Sequence, residues 1–184
     1  MSKTPRPDAL DLLTADHAQA GWLFETFKAT CERNASVAEK TAVAEEICYL
    51  LSIQGQLEEE IFYPSVRPGL DDASAVDAAE RESLTTKDLI AEICAMTPAE
   101  PLYNAKMAAL QATIKRRMRI EQQEMFPKVR ETNIDLASLA VEIQNRKSEL
   151  LAQDEGIRDR LEREDESADP VGPPPSVQAL ADKP

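Results

Sequence analysis

Long runs rich in Ala, Leu, Glu, Lys and Gln, with few aromatic or β-branched clusters, leave most of this chain little choice but helix. Proline and glycine, the residues that interrupt such runs, number 12 and 5 among 184, and much of the proline lies beyond residue 169. The length suits one domain with a real core. Fold class therefore narrows to all-α before any single residue is weighed.

Two stretches organise the helical body. Residues 54–64, Gln-Gly-Gln-Leu-Glu-Glu-Glu-Ile-Phe-Tyr-Pro, and residues 117–127, Arg-Met-Arg-Ile-Glu-Gln-Gln-Glu-Met-Phe-Pro, each carry carboxylates, turn aromatic and reach a proline, which reads as twin helix ends. Each also sets a glutamate, Glu58 or Glu121, on an otherwise apolar stripe, where a carboxylate needs a positive partner to be buried.

The rest of the chain fits around these ends. Asp8 is placed to cap a first helix reaching about Cys31, with Leu10, Leu13, His17, Ala20, Phe24 and Phe27 on one face. Ser36 and Glu39 form a capping box for a second helix whose stripe reads Val43, Ile47, Leu50, Gln54, Glu58 and Ile61 and which Pro64 is expected to end. A third helix is expected from about Ser74 to Met96, with Val76, Ala79, Ser83, Thr86, Ile90 and Ile93 in line. Thr97-Pro98-Ala99-Glu100 combines a capping box with a proline at the first helical position, so it is expected to start a fourth helix ending at Pro127. That helix aligns Tyr103, Met107, Leu110, Ile114, Arg117, Glu121 and Met125. The expected organisation is a disordered start over residues 1–7, a bundle over 8–130, a further helix over 131–163 and a disordered acidic and proline-rich tail over 164–184.

Short connections favour an up-down-up-down bundle, so depths along the four helices can be compared. His17 and Ser83 lie about nine residues into helices one and three, and Gln54 and Arg117 about ten before their prolines, which at a rise of 1.5 Å per residue is one layer. Glu58 and Glu121 stack one turn nearer the same end. Six polar side chains from four helices thus converge. A histidine alone on an apolar face is more often a hydrogen-bonded core residue than a ligand, but carboxylates and histidine at matching depth are how helical bundles build metal sites.

Charge excludes several partners. The net charge of −13 repels phosphate backbones and anionic lipid, so neither nucleic acid nor a membrane surface is expected as a partner. Cys31, Cys48 and Cys94 are widely spaced within helical patterns, the usage of a reducing compartment, and with no apolar leader or span the expected location is cytoplasmic.

The same residues resemble a bacterial hemerythrin-like, or HHE cation-binding, domain. The resemblance rests on Ala15-Asp16-His17, on Glu58-Glu59-Glu60-Ile61-Phe62-Tyr63-Pro64, on Thr85-Thr86-Lys87-Asp88-Leu89-Ile90, on Glu124-Met125-Phe126-Pro127-Lys128-Val129-Arg130 and on the trailing helix. It implies a di-iron site fed by one histidine each from helices one and three and a His-x-x-x-Glu pair each from helices two and four. His17, Glu58 and Glu121 match that pattern. Gln54, Ser83 and Arg117 stand where the family carries histidine, and Arg116 replaces a further histidine often found beside the last.

Two readings follow. In the first the di-iron ligand set is mostly lost, the guanidinium of Arg117 takes the cation's place, no cofactor is expected, and the protein is a non-catalytic binding or regulatory module with an unknown protein partner. In the second His17, Glu58 and Glu121 still hold iron, mononuclear or di-iron, or another divalent cation, for oxygen or peroxide response, iron storage or redox sensing as the resemblance implies. A conventional enzyme is not expected: there is no Gly-rich phosphate loop, and the single histidine leaves little for acid–base work.

Overall fold

The structure, a computed structural model, describes the backbone of residues 6–167 and the side chains of residues 6–153. It is an all-helical bundle: α1 (Ala9–Glu32), α2 (Val37–Leu57), α3 (Ser74–Cys94) and α4 (Tyr103–Arg119), followed by α5 (Leu136–Ser167). Neighbours in sequence pack as neighbours in space, α1 on α2, α2 on α3 and α3 on α4. Residues 1–148 form one compact unit containing the bundle; residues 149–184 divide off as a second, described only as the continuation of α5 to Ser167. Of the ends expected to be disordered, residues 1–5 and 168–184 lie outside the described residues. Among the described residues no helix is long and apolar enough to cross a membrane.

The first two helix starts follow from their capping residues. Asp8 accepts from the backbone N–H groups of Leu10 and Asp11 at 2.9 and 3.0 Å, and Ser36 with Glu39 closes a reciprocal capping box. Between α1 and α2 the chain reverses through Asn34 at φ 51°, a left-handed conformation that asparagine tolerates better than most residues.

Two expectations about helix ends are corrected. Thr97-Pro98-Ala99-Glu100 does not start the fourth helix. The Glu100 carboxylate accepts from the Thr97 N–H at 2.7 Å, but the segment stays a turn and the helix begins at Tyr103. Pro101 is the reason, since it lacks an N–H and disfavours helical backbone at the residue before it. Nor do Pro64 and Pro127 end their helices. A π-helical turn, Glu58–Phe62 after α2 and Ile120–Met125 after α4, precedes each proline, and α-helix then resumes over Tyr63–Val66 and Phe126–Arg130. A proline removes one hydrogen bond and crowds the carbonyl four residues back. Those carbonyls belong to Glu60 and Gln123, inside the wide turns, where the bonds run instead from Tyr63 N–H to Glu58 and from Phe126 N–H to Glu121.

The fourth-helix stripe is buried at every expected position, whereas α2 buries Ala44, Ile47, Cys48 and Leu51 and leaves Val43 and Leu50 half-buried, because it faces α1 on one side and α3 on the other. An apolar cluster including Phe24, Phe27, Ile47, Leu51, Met107, Leu110 and Ile114 fills one end of the bundle. Phe62, Phe126, Val66 and Val129 fill the other, with the Phe62 and Phe126 rings edge to face at 5.7 Å. Over its first turns α5 packs on the bundle through Leu139, Ala140 and Ile143, with Lys147 reaching Asp16 at 2.7 Å and Arg146 reaching Glu60 at 2.8 Å.

Candidate metal centre

Between the two apolar ends lies the polar layer. His17 comes from α1, Gln54 from α2, Ser83 from α3 and Arg117 from α4, while the two π-helical turns supply Glu58 and Glu121. All six are buried, and Arg117 is the largest fully buried side chain among the described residues. Such wide turns occur frequently at functional positions.

Each carboxylate oxygen meets a donor or a positive group. Gln54 donates to Glu58 Oε1 at 2.9 Å, and the Arg117 Nη1 lies 3.4 Å from Glu58 Oε2 and 3.4 Å from Ser83 Oγ. Arg117 Nε stands 3.9 Å from Glu121 Oε1. The Tyr63 hydroxyl bridges the pair, 2.5 Å from Glu121 Oε1 and 3.3 Å from Glu58 Oε2. His17 Nε2 sits 2.8 Å from Glu121 Oε2 and 3.8 Å from Glu58 Oε1. The shorter of these contacts is an ion pair by distance rather than an aligned hydrogen bond, since neither atom has a partner of good geometry. On its other side the His17 ring meets the Gln122 amide nitrogen at 2.9 Å through Nδ1 and stacks on Phe126, with 7° between the planes. When the ring is charged both nitrogens donate, Nε2 facing Glu121 and Nδ1 facing the Gln122 amide, which is then turned to present its oxygen.

The electrostatics divide the carboxylates. Burial pushes both upward, but the Arg117 charge, the nearby His17 and the Gln54 hydrogen bond outweigh it at Glu58, which is held below the ordinary range. Glu121 is raised by burial and by the Glu58 charge beside it. Burial alone would lower His17, yet the close, negatively charged Glu121 and Glu58 carboxylates raise it to about 9. Tyr63, raised by burial and by both carboxylates, stays a phenol and keeps its proton for donation. Arg117 and Glu58 therefore cancel, and one proton on the His17–Glu121 pair balances that pair whichever atom carries it. The layer is neutral as it stands.

The six positions singled out in the sequence thus converge, and Arg116 points away, pairing with Glu82 at the surface at 3.1 Å. Ligand atoms of His17, Glu58 and Glu121 lie within 4.8 Å of one another, close enough to share one cation. The sequence reading did not single out Tyr63, Gln122 or Phe126. Tyr63 and Phe126 had a visible signal, because each stands five residues after its glutamate and just before its proline. Cys48 and Cys94, far apart in sequence, are neighbours here, and burial together with Cys94 pushes the Cys48 thiol up to about 12, which makes it a poor nucleophile.

Gly55 sits against this layer, and a Cβ built there meets only Arg117 Nη1, at 4.0 Å. Gly55→Ala is expected to stabilise the fold by about 1 kcal/mol through helix propensity, read as a higher denaturant midpoint with an unchanged slope.

Comparison by sequence finds no matching family model and no matching curated relative. By structure the chain is similar to the crystal structure of a hemerythrin HHE cation-binding domain-containing protein from Mycobacterium kansasii, with a TM-score of 0.67 and 18% identity, covering 80% of this chain and 90% of that one. The fold is accordingly the hemerythrin-like helical bundle with an additional C-terminal helix.

Proposed function

We propose that this protein is a hemerythrin-like bundle in which Arg117 occupies the place of the cation, and that it acts as a non-catalytic binding or regulatory module around a metal-free polar core. The observation that carries this is the fully buried Arg117 guanidinium, which faces Glu58, Glu121 and Ser83 together. Two unit charges 4 Å apart interact by about 4 kcal/mol at an effective dielectric of 20, so a divalent ion among these groups meets a repulsion of about twice that from Arg117. The carboxylates that would offset the ion are already balanced.

Protein purified from iron-supplemented medium is expected to carry less than about 0.1 metal ion per chain and to melt at the same temperature with and without a chelator. One or two irons per chain, lost on His17→Ala, would overturn the reading.

A second reading is supported by the convergence of His17, Glu58 and Glu121 and by the cation-binding domain named for the structural neighbour. In it these three residues hold iron or another divalent ion, the ion supplies oxygen, peroxide or redox chemistry, and Gln122 fixes the imidazole. It requires the His17 Nε2 proton to leave and Arg117 to tolerate the added charge. The metal analysis above separates the two.

A further inference from the structure

At the apolar end of the bundle the cysteines Cys31, Cys48 and Cys94 gather around the Tyr103 phenol, which burial and the charges of Cys48, Cys94, Glu45 and Cys31 push up to about 12. Cys48 is buried in α2 within the apolar cluster, whereas Cys94 is the last residue of α3 and is exposed. α2 and α3 pack on each other, and here the two thiols stand side by side, Cys94 acting on Cys48 both through its charge and as a direct side-chain partner. Cys31 turns instead to Asn104 of α4, its sulfur 3.8 Å from the side-chain oxygen. Among the described residues these sulfurs do not form a group that could share one ion, so metal binding does not account for their gathering.

We propose that Cys48 and Cys94 are a redox pair, closed by hydrogen peroxide into a disulfide that ties α2 to α3 and reopened by a dithiol. Cys94 is the exposed member, so it meets the oxidant. Its thiolate sulfur attacks one peroxide oxygen, the O–O bond breaks, and a sulfenic acid forms while the departing hydroxide takes up a proton as water. Cys48 then gives up its proton, its sulfur attacks Cys94 Sγ, and the sulfenic oxygen leaves as a second water. The peroxide has gained the two electrons that the thiols have lost. Cys48 is a poor nucleophile toward molecules in solution, because burial and Cys94 raise its thiol. Two changes offset this: oxidation removes the Cys94 charge, and the target sulfur already stands beside Cys48, which makes the attack intramolecular. Disulfide sulfurs lie about 2.05 Å apart, and the approach falls to the last turn of α3, where the chain leaves the helix at Ala95. The loop so closed, residues 48–94, carries Gln54, Glu58, Tyr63 and Ser83, so the bond braces the polar layer from a distance, whether that layer holds an ion or Arg117 alone.

The test exposes the full chain, reduced and freed of reductant, to a small excess of hydrogen peroxide. Two of the three thiols are expected to disappear, with a mass lower by two hydrogens and a peptide cross-link between Cys48 and Cys94 after digestion. The melting temperature is expected to rise by roughly 5 °C or more, because the bond restricts the unfolded chain. Dithiothreitol should reverse all of these. Cys31→Ser is expected to respond as the parent does. Cys94→Ser, a change at an exposed position, should keep its fold and lose both the bond and the shift. Cys48→Ala should halt at the Cys94 sulfenic acid, which dimedone captures. Retention of all thiols, a bond through Cys31 or between chains, a disulfide that leaves the melting temperature unchanged, or an equal rise in Cys94→Ser overturns the proposal.

Discussion

Arg117→Ala is expected to lower folding stability by about 3–5 kcal/mol, because it strands two buried carboxylates without their fixed cation. For a chain of this size each kcal/mol moves the melting temperature by about 2–4 °C, so the loss is large enough to read directly by calorimetry or circular dichroism. Gln54→Ala should cost about 1–3 kcal/mol, the penalty for one lost neutral donor to Glu58. The ordering matters more than either figure. Equal and small shifts for the two variants would mean that Arg117 does not hold the carboxylates together. The variant also reports on metal: with the guanidinium gone, His17, Glu58 and Glu121 keep their geometry and lose the repulsion, so added divalent ion should raise the melting point of Arg117→Ala and leave the parent unchanged.

Stability is expected to fall as pH rises from about 6.5 to about 9, by on the order of 3 kcal/mol. The folded pKa of His17 is raised above its unfolded value, so its contribution is fully present below the unfolded pKa near 6.5 and is lost through the folded value near 9. The folded chain then holds a proton that the unfolded chain has released. Denaturant melts of the parent and of His17→Gln across this window check it, the variant being expected to show a flat profile. The opposite sign, stability rising with pH, is what a metal on a neutral imidazole would produce, because ligation requires the proton to leave.

Much of this was legible from the chain. The stripes along α1 and α4 were set by apolar residues at helical spacing, and the depth of the polar layer followed from counting to Pro64 and Pro127 because both twins are equally long. Nothing in residue spacing, however, distinguishes a proline that stops a helix from one that a π-helical turn lets through. That turn exchanges a four-residue bond for a five-residue one without a signature in composition. The repeat marks Tyr63 as the twin of Phe126 but not as a partner of the glutamates: at α-helical spacing the fifth residue beyond Glu58 points elsewhere, and only the wider turn brings its hydroxyl back to both. Pro101 shows the converse, a local rule in Thr97-Pro98 overruled by a second proline nearby.

The two wide turns also fix which changes the layer can accept over time. Each works as a phase shift: helix before Glu58 and helix after Phe62 follow different rotational frames, joined by one surplus residue. Loss of one residue within Glu58–Phe62 would leave an ordinary α-helical turn, whereas loss of one in the α-helix before it would rotate everything beyond by about 100° and carry Tyr63 off the carboxylates. The same holds for Ile120–Met125 and the helix before it. Side-chain exchange leaves the frame untouched. The side chains at positions 54, 83 and 117 can therefore be exchanged without moving the frame that holds Glu58 and Glu121 in place.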